Sequence, residues 1–331
     1  MFAAMIAAQY PTTGPQSGIL QIVDLEKPEP APGEVLAKVC FSGVNPTDWK
    51  SRGSSGFTAG AHPLVVPNQD GSGEIEAVGA GVDPARVGER VWIWQAQWQR
   101  PQGTAAQWIA VPDEHAISLP AGVSFELGAG LGIPAMTAHH CLFCDGQIAG
   151  DTVLVHGGAG AVGHAAIELA RWAGARVATT VSSPEKGEVA WAAGADLVVD
   201  YRREDVVEKL REWAPHGVER IVEVDLPGNI DLDVAVSAPG ATIVCYAAAP
   251  HGFLLPRELM SLNLTIRWML VYTIPEEAKR AAVEDITWAL GGGALTALPG
   301  PVFPLERISE AHDAVAGGAV GKVLVKVPGG C

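Results

Sequence analysis

The chain is short of positive charge, of cysteine and of long apolar runs, and each shortage removes a class of function. Only 22 Lys and Arg stand against 37 Asp and Glu, a formal charge of -15 at pH 7. Such a surface repels phosphate backbones and anionic lipid headgroups, which excludes nucleic acid as a partner. The five cysteines, Cys40, Cys141, Cys144, Cys245 and Cys331, are too sparse and odd in number for a disulfide framework, which points to a reduced, cytoplasmic protein. No stretch reaches the roughly 18 consecutive apolar residues of a membrane span. The opening MFAAMIAAQYPTTG has no basic residue ahead of its apolar run, so it reads as a first strand and not as a secretion signal.

What is present describes a well-cored globular chain. Hydrophobic residues make up 48% and charged residues 18% of 331 positions, and single cores rarely grow beyond about 250–300 residues, so two domains are expected. Up to about residue 120 the sequence is a series of short β-type runs broken by Gly and Pro, among them GILQIVDLE, EVLAKVCFSGV, GEIEAVG, ERVWIW and AQWIAVP. That spacing predicts a compact, mostly antiparallel β domain. Helical periodicity begins near AGVSFELGAGLGIPAMTAHHCLF. From Asp151 onward strands such as TVLVHG, RVATTV, LVVDY and RIVEVD alternate with helices of about ten residues, the pattern of a doubly wound parallel sheet. The ending GKVLVKV is again a strand and returns to the first domain.

Within the first βα unit stands VHGGAGAVGH. Gly157, Gly160 and Gly163 lie between a β-branched strand and an immediate helix, where small residues let the backbone approach a pyrophosphate and the helix N–H groups face it. About 20 residues further an NAD site places Asp or Glu against the ribose 2′-hydroxyl. That position reads Val181-Ser182-Ser183-Pro184-Glu185-Lys186, with hydroxyls and a lysine instead. Such donors suit a 2′-phosphate, so NADPH is favoured over NADH, although Lys186 beside Glu185 also fits a solvated first turn of a helix.

GVNPTDWKSRG, DGSGEIEAVGAGV, VGERVW, GIPAMTAHH, VLVHGGAGAVGHAAIELA, GADLVVDYR and GKVLVKV occur in the order found in the medium-chain dehydrogenase/reductase superfamily. The chain resembles its zinc-free, zeta-crystallin-like quinone oxidoreductases and their enone-reducing relatives over nearly its whole length. The resemblance implies an α/β protein built from a GroES-like β domain (residues 1–122 and 274–331) and a Rossmann doubly wound parallel sheet (residues 123–273) that binds NADPH. It further implies the pyrophosphate at the backbone of Ala161 and Val162 and the 2′-phosphate among Ser182, Lys186 and Tyr201. By the same likeness Thr137 lies near the nicotinamide and Tyr246 near its ribose.

Zinc enzymes of this superfamily carry Cys at the position of Asn45 and Gly-His-Glu at Asn68-Gln69-Asp70, and neither Asn45 nor Gln69 is a zinc ligand type. The cluster His139-His140-Cys141-Leu142-Phe143-Cys144 lacks a second ligand pair and reads as helix packing. No metal is therefore expected. Without one, hydride goes to an electron-poor carbon, in a quinone or an α,β-unsaturated carbonyl. Asn45 is the candidate donor to the oxygen that gains charge, or else an Asn turning the chain before Pro46. Lys50 is a candidate for stabilising an enolate or donating a proton, or for an ion pair with Asp48. Trp94 and Trp98, in WIWQAQWQRPQ with Arg100, suit a flat substrate as well as plain packing. The expected protein is a small-molecule reductase and a homodimer, the latter because LTIRWMLVY is an apolar strand late in the sheet order. A biosynthetic enoyl thioester reductase and a weakly catalytic NADPH-binding protein are the rival functions.

Overall fold

The structure is a computed structural model that describes residues 4–14, 18–53, 60–247 and 257–331. The chain divides into two compact units, Met1–Ile133 with Ala297–Cys331, and Pro134–Thr296. Among the described residues no helix is long and apolar enough to cross a membrane.

The first unit contains β1 (Ala4–Pro11), β2 (Gln21–Glu26), β3 (Glu34–Gly43), α1 (Pro46–Arg52), β4 (Leu64–Val65), β5 (Asp70–Val78), β6 (Arg90–Ile93), β7 (Trp108–Pro112) and β8 (Ala116–Ser118). Helix α2 (Phe125–Phe143) leaves it for the second unit. That unit holds β9 (Thr152–His156), α3 (Ala161–Trp172), β10 (Arg176–Val181), α4 (Pro184–Ala192), β11 (Leu197–Asp200), α5 (Val206–Trp213), β12 (Val218–Glu223), α6 (Leu226–Val236), β13 (Ser237–Cys245), α7 (Glu258–Ser261), β14 (Thr265–Trp268) and α8 (Glu276–Gly291). The chain ends in the first unit with β15 (Val302–Pro304), α9 (Ile308–Ala316) and β16 (Leu324–Lys326).

In the first unit β3 pairs antiparallel with β5, β7 and β16, and the closing segment GKVLVKV thereby joins the sheet beside Phe41–Gly43. Val35, Val39, Ile75 and Ile109 from these strands and Val91 from β6 belong to one core. β1 and its partners close over a second, built from Met5, Ala7, Val66, Leu305 and Val325.

In the second unit all six strands run parallel in the order β11-β10-β9-β12-β13-β14. Counting from β9, that is the dinucleotide-binding order, whose ligand crevice opens where the strand order reverses at the carboxyl end of the first strand. Every residue of β9 is buried, as a strand covered by helices on both faces requires. Leu154, Ala178, Ile221, Ile243 and Leu210 form the core beneath it.

Two expectations change. The boundaries fall at residues 133/134 and 296/297, not at 122/123 and 273/274. Helix α8 stays with the second unit because Asp285 bonds His139 of α2 at 2.8 Å and Glu168 of α3 accepts the N–H of Thr296 at 3.1 Å. The second change is a disulfide between Cys40 and Cys331, with Cα atoms 5.2 Å apart. A cysteine count does not reveal it: the pairing arises because β16 runs beside β3 and Val327 N–H bonds the Cys40 carbonyl at 3.1 Å. Cys141, Cys144 and Cys245 are free thiols.

Candidate functional site

The glycine turn lies at the carboxyl end of β9. Gly157 has φ +71°, a left-handed backbone open to glycine at no steric cost. A Cβ on Gly163 would stand 2.3 Å from the Gly157 carbonyl oxygen, so only glycine lets α3 start against the turn. Gly160 is the N-cap of α3 and supplies no side-chain cap. The first intrahelical bond runs from His164 N–H to the Gly160 carbonyl at 2.8 Å. The N–H groups of Ala161, Val162 and Gly163 in this first turn have no acceptor within the helix, which leaves a socket for an anion. These residues fit the diphosphate of a dinucleotide.

The other positions linked to a coenzyme divide by element. Ser182 and Lys186 follow β10 directly, and Lys186 Nζ donates to Ser182 Oγ at 3.0 Å. Ser183 caps α4 by accepting the N–H of Lys186. Lys186 is half-buried, and Tyr201, just after β11, is exposed. Tyr246 follows β13 and its N–H bonds the Glu223 carbonyl at 3.1 Å. The glycine turn, Ser182, Tyr201 and Tyr246 thus share one edge of the parallel sheet, the carboxyl edge. Thr137 is buried on α2.

The first unit carries a separate polar cluster. Asn45 is the N-cap of α1, and Asp48 at the third helical position accepts its backbone N–H at 2.6 Å. The Asn45 side chain donates from Nδ2 to Asp70 Oδ2 at 2.6 Å and accepts from Lys322 Nζ on Oδ1 at 2.7 Å. Lys322 also lies 3.5 Å from Asp70 Oδ2, and Asp70 Oδ1 accepts the N–H of Ile133 at 2.9 Å. All four side chains are at most 5% exposed. Burial pushes the Asp48 carboxyl up to about 8, and repulsion from Asp70 adds to it. Burial likewise raises the Asp70 carboxyl and lowers the Lys322 ammonium, each drawn back toward its charged form by the other. Asp48 Oδ1 is buried without a partner.

This geometry leaves both alternatives for Asn45 open. Asn45 caps the helix through its backbone, and one of its two amide hydrogens goes to Asp70, leaving the other as a donor. Lys50 is exposed with its ammonium 5.8 Å over the Trp49 ring, and the cation that acts on Asp48 and Asp70 is Lys322. Trp94 is buried, with Nε1 3.3 Å from the Glu114 carbonyl and its ring 4.8 Å from that of His115, so it serves packing. Trp98 is half-buried, and Arg100 is paired with Glu34 at 3.1 Å. His139 is taken up by Asp285 and by the Phe143 ring, and Cys144 lies 3.6 Å from Arg220, in line with the packing reading of that segment.

Two buried polar groups escape sequence reasoning. Lys322 carries no signal beyond its place in a returning strand. The second is the buried set His156, Glu223 and Asp233, whose ligand-type atoms all lie within 4.8 Å of one another directly behind the glycine turn. The one available signal is Glu223 itself, a carboxylate inside the apolar run RIVEVD.

Comparison with known proteins agrees with both units. Residues 31–121 match the alcohol dehydrogenase GroES-like domain and residues 161–288 the zinc-binding dehydrogenase domain. The quinone oxidoreductase of Pongo abelii is 29% identical over 91% of this chain and 92% of its own. The quinone oxidoreductase of Thermus thermophilus, solved also in complex with NADPH, is 30% identical with a TM-score of 0.82, over 97% of this chain and 100% of that one. The chain belongs to the medium-chain dehydrogenase/reductase superfamily. Within it, these similarities put the chain in the quinone oxidoreductase branch. A structure described as an NAD-dependent alcohol dehydrogenase aligns with a TM-score of 0.86 at 27% identity, over 98% and 100% of the two chains.

The zinc that one of these family names implies does not suit the residues present. Asn45 and Gln69 offer neutral amides in place of thiolate and imidazole. The Lys322 ammonium, 2.7 Å from Asn45 Oδ1 and 3.5 Å from Asp70 Oδ2, already occupies the place of a cation.

Proposed function

We propose that the protein is a metal-independent, NADPH-dependent oxidoreductase that delivers hydride to a quinone or to the β-carbon of an α,β-unsaturated carbonyl. The observation that carries the coenzyme assignment is the Lys186–Ser182 contact of 3.0 Å at the end of β10. An ammonium and a hydroxyl at this position, in place of the carboxylate of an NAD site and on the same sheet edge as the glycine turn, support that reading. The NADPH complex of the Thermus thermophilus relative supports this reading.

Bound NADPH supplies a hydride equivalent. The chain's own residues do the rest. First-turn N–H groups of Ala161, Val162 and Gly163 hold the diphosphate, and Ser182, Lys186 and Tyr201 hold the 2′-phosphate. The free amide hydrogen of Asn45 donates to the substrate oxygen as it gains negative charge, the moment at which a fixed donor is worth most. Asp70 and Lys322 grip the two ends of that amide and keep its nitrogen and oxygen from exchanging places. The proton that completes the reduction comes from water. Two copies associate through the exposed edge of β14.

Coenzyme oxidation with 9,10-phenanthrenequinone, trans-2-hexenal and crotonyl-CoA as acceptors tests the assignment. Turnover of the quinone or the enal is expected. Turnover of the thioester alone would identify an enoyl thioester reductase, and no turnover with tight coenzyme binding would leave a binding protein.

A further inference from the structure

Directly behind the glycine turn lie two carboxylates and an imidazole with almost no exposure to water. His156, the last residue of β9, is 3% exposed, and Glu223 at the end of β12 and Asp233 on α6 are 0% exposed. His156 Nε2 is 2.8 Å from Asp233 Oδ1 and 3.4 Å from Glu223 Oε2. On the other side of the ring, Nδ1 is 3.0 Å from Thr180 Oγ1. Thr180 in turn holds the turn itself. Its carbonyl accepts the N–H of Gly157 at 3.1 Å and of Gly158 at 3.2 Å, and its hydroxyl oxygen lies 3.4 Å from the Gly157 nitrogen. The imidazole and the diphosphate turn therefore hang on one residue.

We infer that the His156–Glu223–Asp233 cluster positions the glycine turn and that one proton shared by its carboxylates sets the affinity of the turn for the coenzyme diphosphate. This rests on the dinucleotide reading of the turn.

The charge balance leads there. His156 faces Thr180 from β10, Glu223 from β12, Asp225 from the following loop and Asp233 from α6, and Cys245 of β13 feels both Glu223 and Asp233. Among the described residues, the charged groups that act on His156 are these three carboxylates. An imidazolium balances one buried carboxylate, and a second needs a proton because an uncompensated buried charge is costly. Glu223 accepts from Asn229 Nδ2 at 3.0 Å and from the N–H of Asp225. Asp233 Oδ2, fully buried, has no hydrogen-bond partner. Burial pushes the Glu223 carboxyl up to about 7 against the pull of His156, with Asp233 adding repulsion, while the Asp233 hydrogen bond and the three surrounding carboxylates raise the His156 imidazole despite its burial. Above neutrality Glu223 ionises and leaves a net negative charge behind the turn. The two are close: a Cβ on Gly157 would be 3.9 Å from Val224 Cγ1, the residue after Glu223. A diphosphate in the turn then meets repulsion that it does not meet at lower pH. His156 and its carboxylates act through the backbone and the field, so they are positioning residues.

Two measurements test this. In the coenzyme-free wild type, the amide resonances of Gly157 and Gly158 are expected to titrate near pH 7 in nitrogen-15 NMR, and Glu223→Gln to abolish that step. With NADPH followed by fluorescence from pH 6 to 8.5, the wild type should weaken about tenfold more than Glu223→Gln across the window. Comparing the two proteins cancels the titration of the 2′-phosphate itself. Turn amides that do not move in the wild type overturn the inference, as does an equal loss of affinity at every pH in Glu223→Gln. Asp233→Asn, which also removes one of the two charges, must flatten the profile in the same way. Stoichiometric metal lost on Glu223→Gln would likewise overturn the proton assignment. Titrating amides without NADPH binding would retire the dinucleotide reading and, with it, the affinity half of the inference.

Discussion

Lys322 donates its ammonium to the side-chain carbonyl of Asn45 across 2.7 Å, although 277 residues separate them in the chain. With Asp70 on the amide nitrogen, the contact fixes which way the Asn45 amide faces, an orientation that an isolated asparagine does not hold. A lysine just ahead of the closing strand thereby positions an amide at the N-cap of the first helix.

Asn45→Ala should lower turnover on the best acceptor by about 10²–10³, the usual loss for a single preorganised oxyanion donor. Lys322→Met should in addition cost stability, since it strands Asp70 in the interior, and breaking a buried pair costs about 3–5 kcal/mol. Steady-state kinetics and urea unfolding separate the two. Undiminished turnover in Asn45→Ala would remove that side chain from the chemistry.

Asp48 makes stability depend on pH in a definite direction. Its folded carboxyl is raised from 3.8 to about 8, so the unfolded chain releases this proton first as pH rises. The stabilisation it provides is complete below about pH 4 and is lost between there and about pH 8. Asp48→Asn should flatten that stretch of the curve. Urea midpoints of both proteins at pH 5 and pH 8.5 decide it, and a gap between them that ignores pH would contradict the assignment.

Lys186→Ala should weaken NADPH about ten- to a hundredfold, the worth of one charge-assisted hydrogen bond of roughly 1.5–3 kcal/mol. NADH, which lacks the 2′-phosphate, should bind both proteins alike. Titration of both coenzymes against both proteins is the check. Equal affinities for NADPH and NADH in the wild type would place the phosphate contacts elsewhere.

β14 ends the parallel sheet with three of its four residues exposed, and Trp268 is 51% exposed. An edge of this kind pairs readily with another strand. Light scattering at micromolar concentration should give a dimeric mass, and Ile266→Pro, which removes a ladder donor, should shift it toward the monomer. A monomeric wild type would rule out this edge as an interface.

The regular parts of the fold are legible because their signals are local. Alternating β-branched strands and helices from Asp151 onward disclose the parallel sheet, and the glycine steps mark its ligand edge. Helix α6 is hard to see because it begins Leu226-Pro227-Gly228-Asn229, which reads as a turn although proline suits the first turn of a helix. With it goes Asp233, and so the cluster around His156. Lys322 is hidden for a different reason. Its partners lie in α1 and at the head of β5, and no pattern within GKVLVKV announces them. Trp94 illustrates the converse: an aromatic in a candidate loop looks the same in sequence whether it faces a ligand or, as here, the core.

The Cys40–Cys331 bond spans 291 positions and changes how the molecule would carry a mechanical load. Tension applied between the first residue and Cys331 runs through the initial 40 residues and then crosses the sulfur bridge. The whole parallel sheet, the glycine turn and the His156 cluster hang inside the bypassed loop and feel none of it. In an optical trap the oxidised chain should therefore extend no further than its first 40 residues reach, about 130–145 Å when fully stretched. The reduced chain would expose every element to the pull.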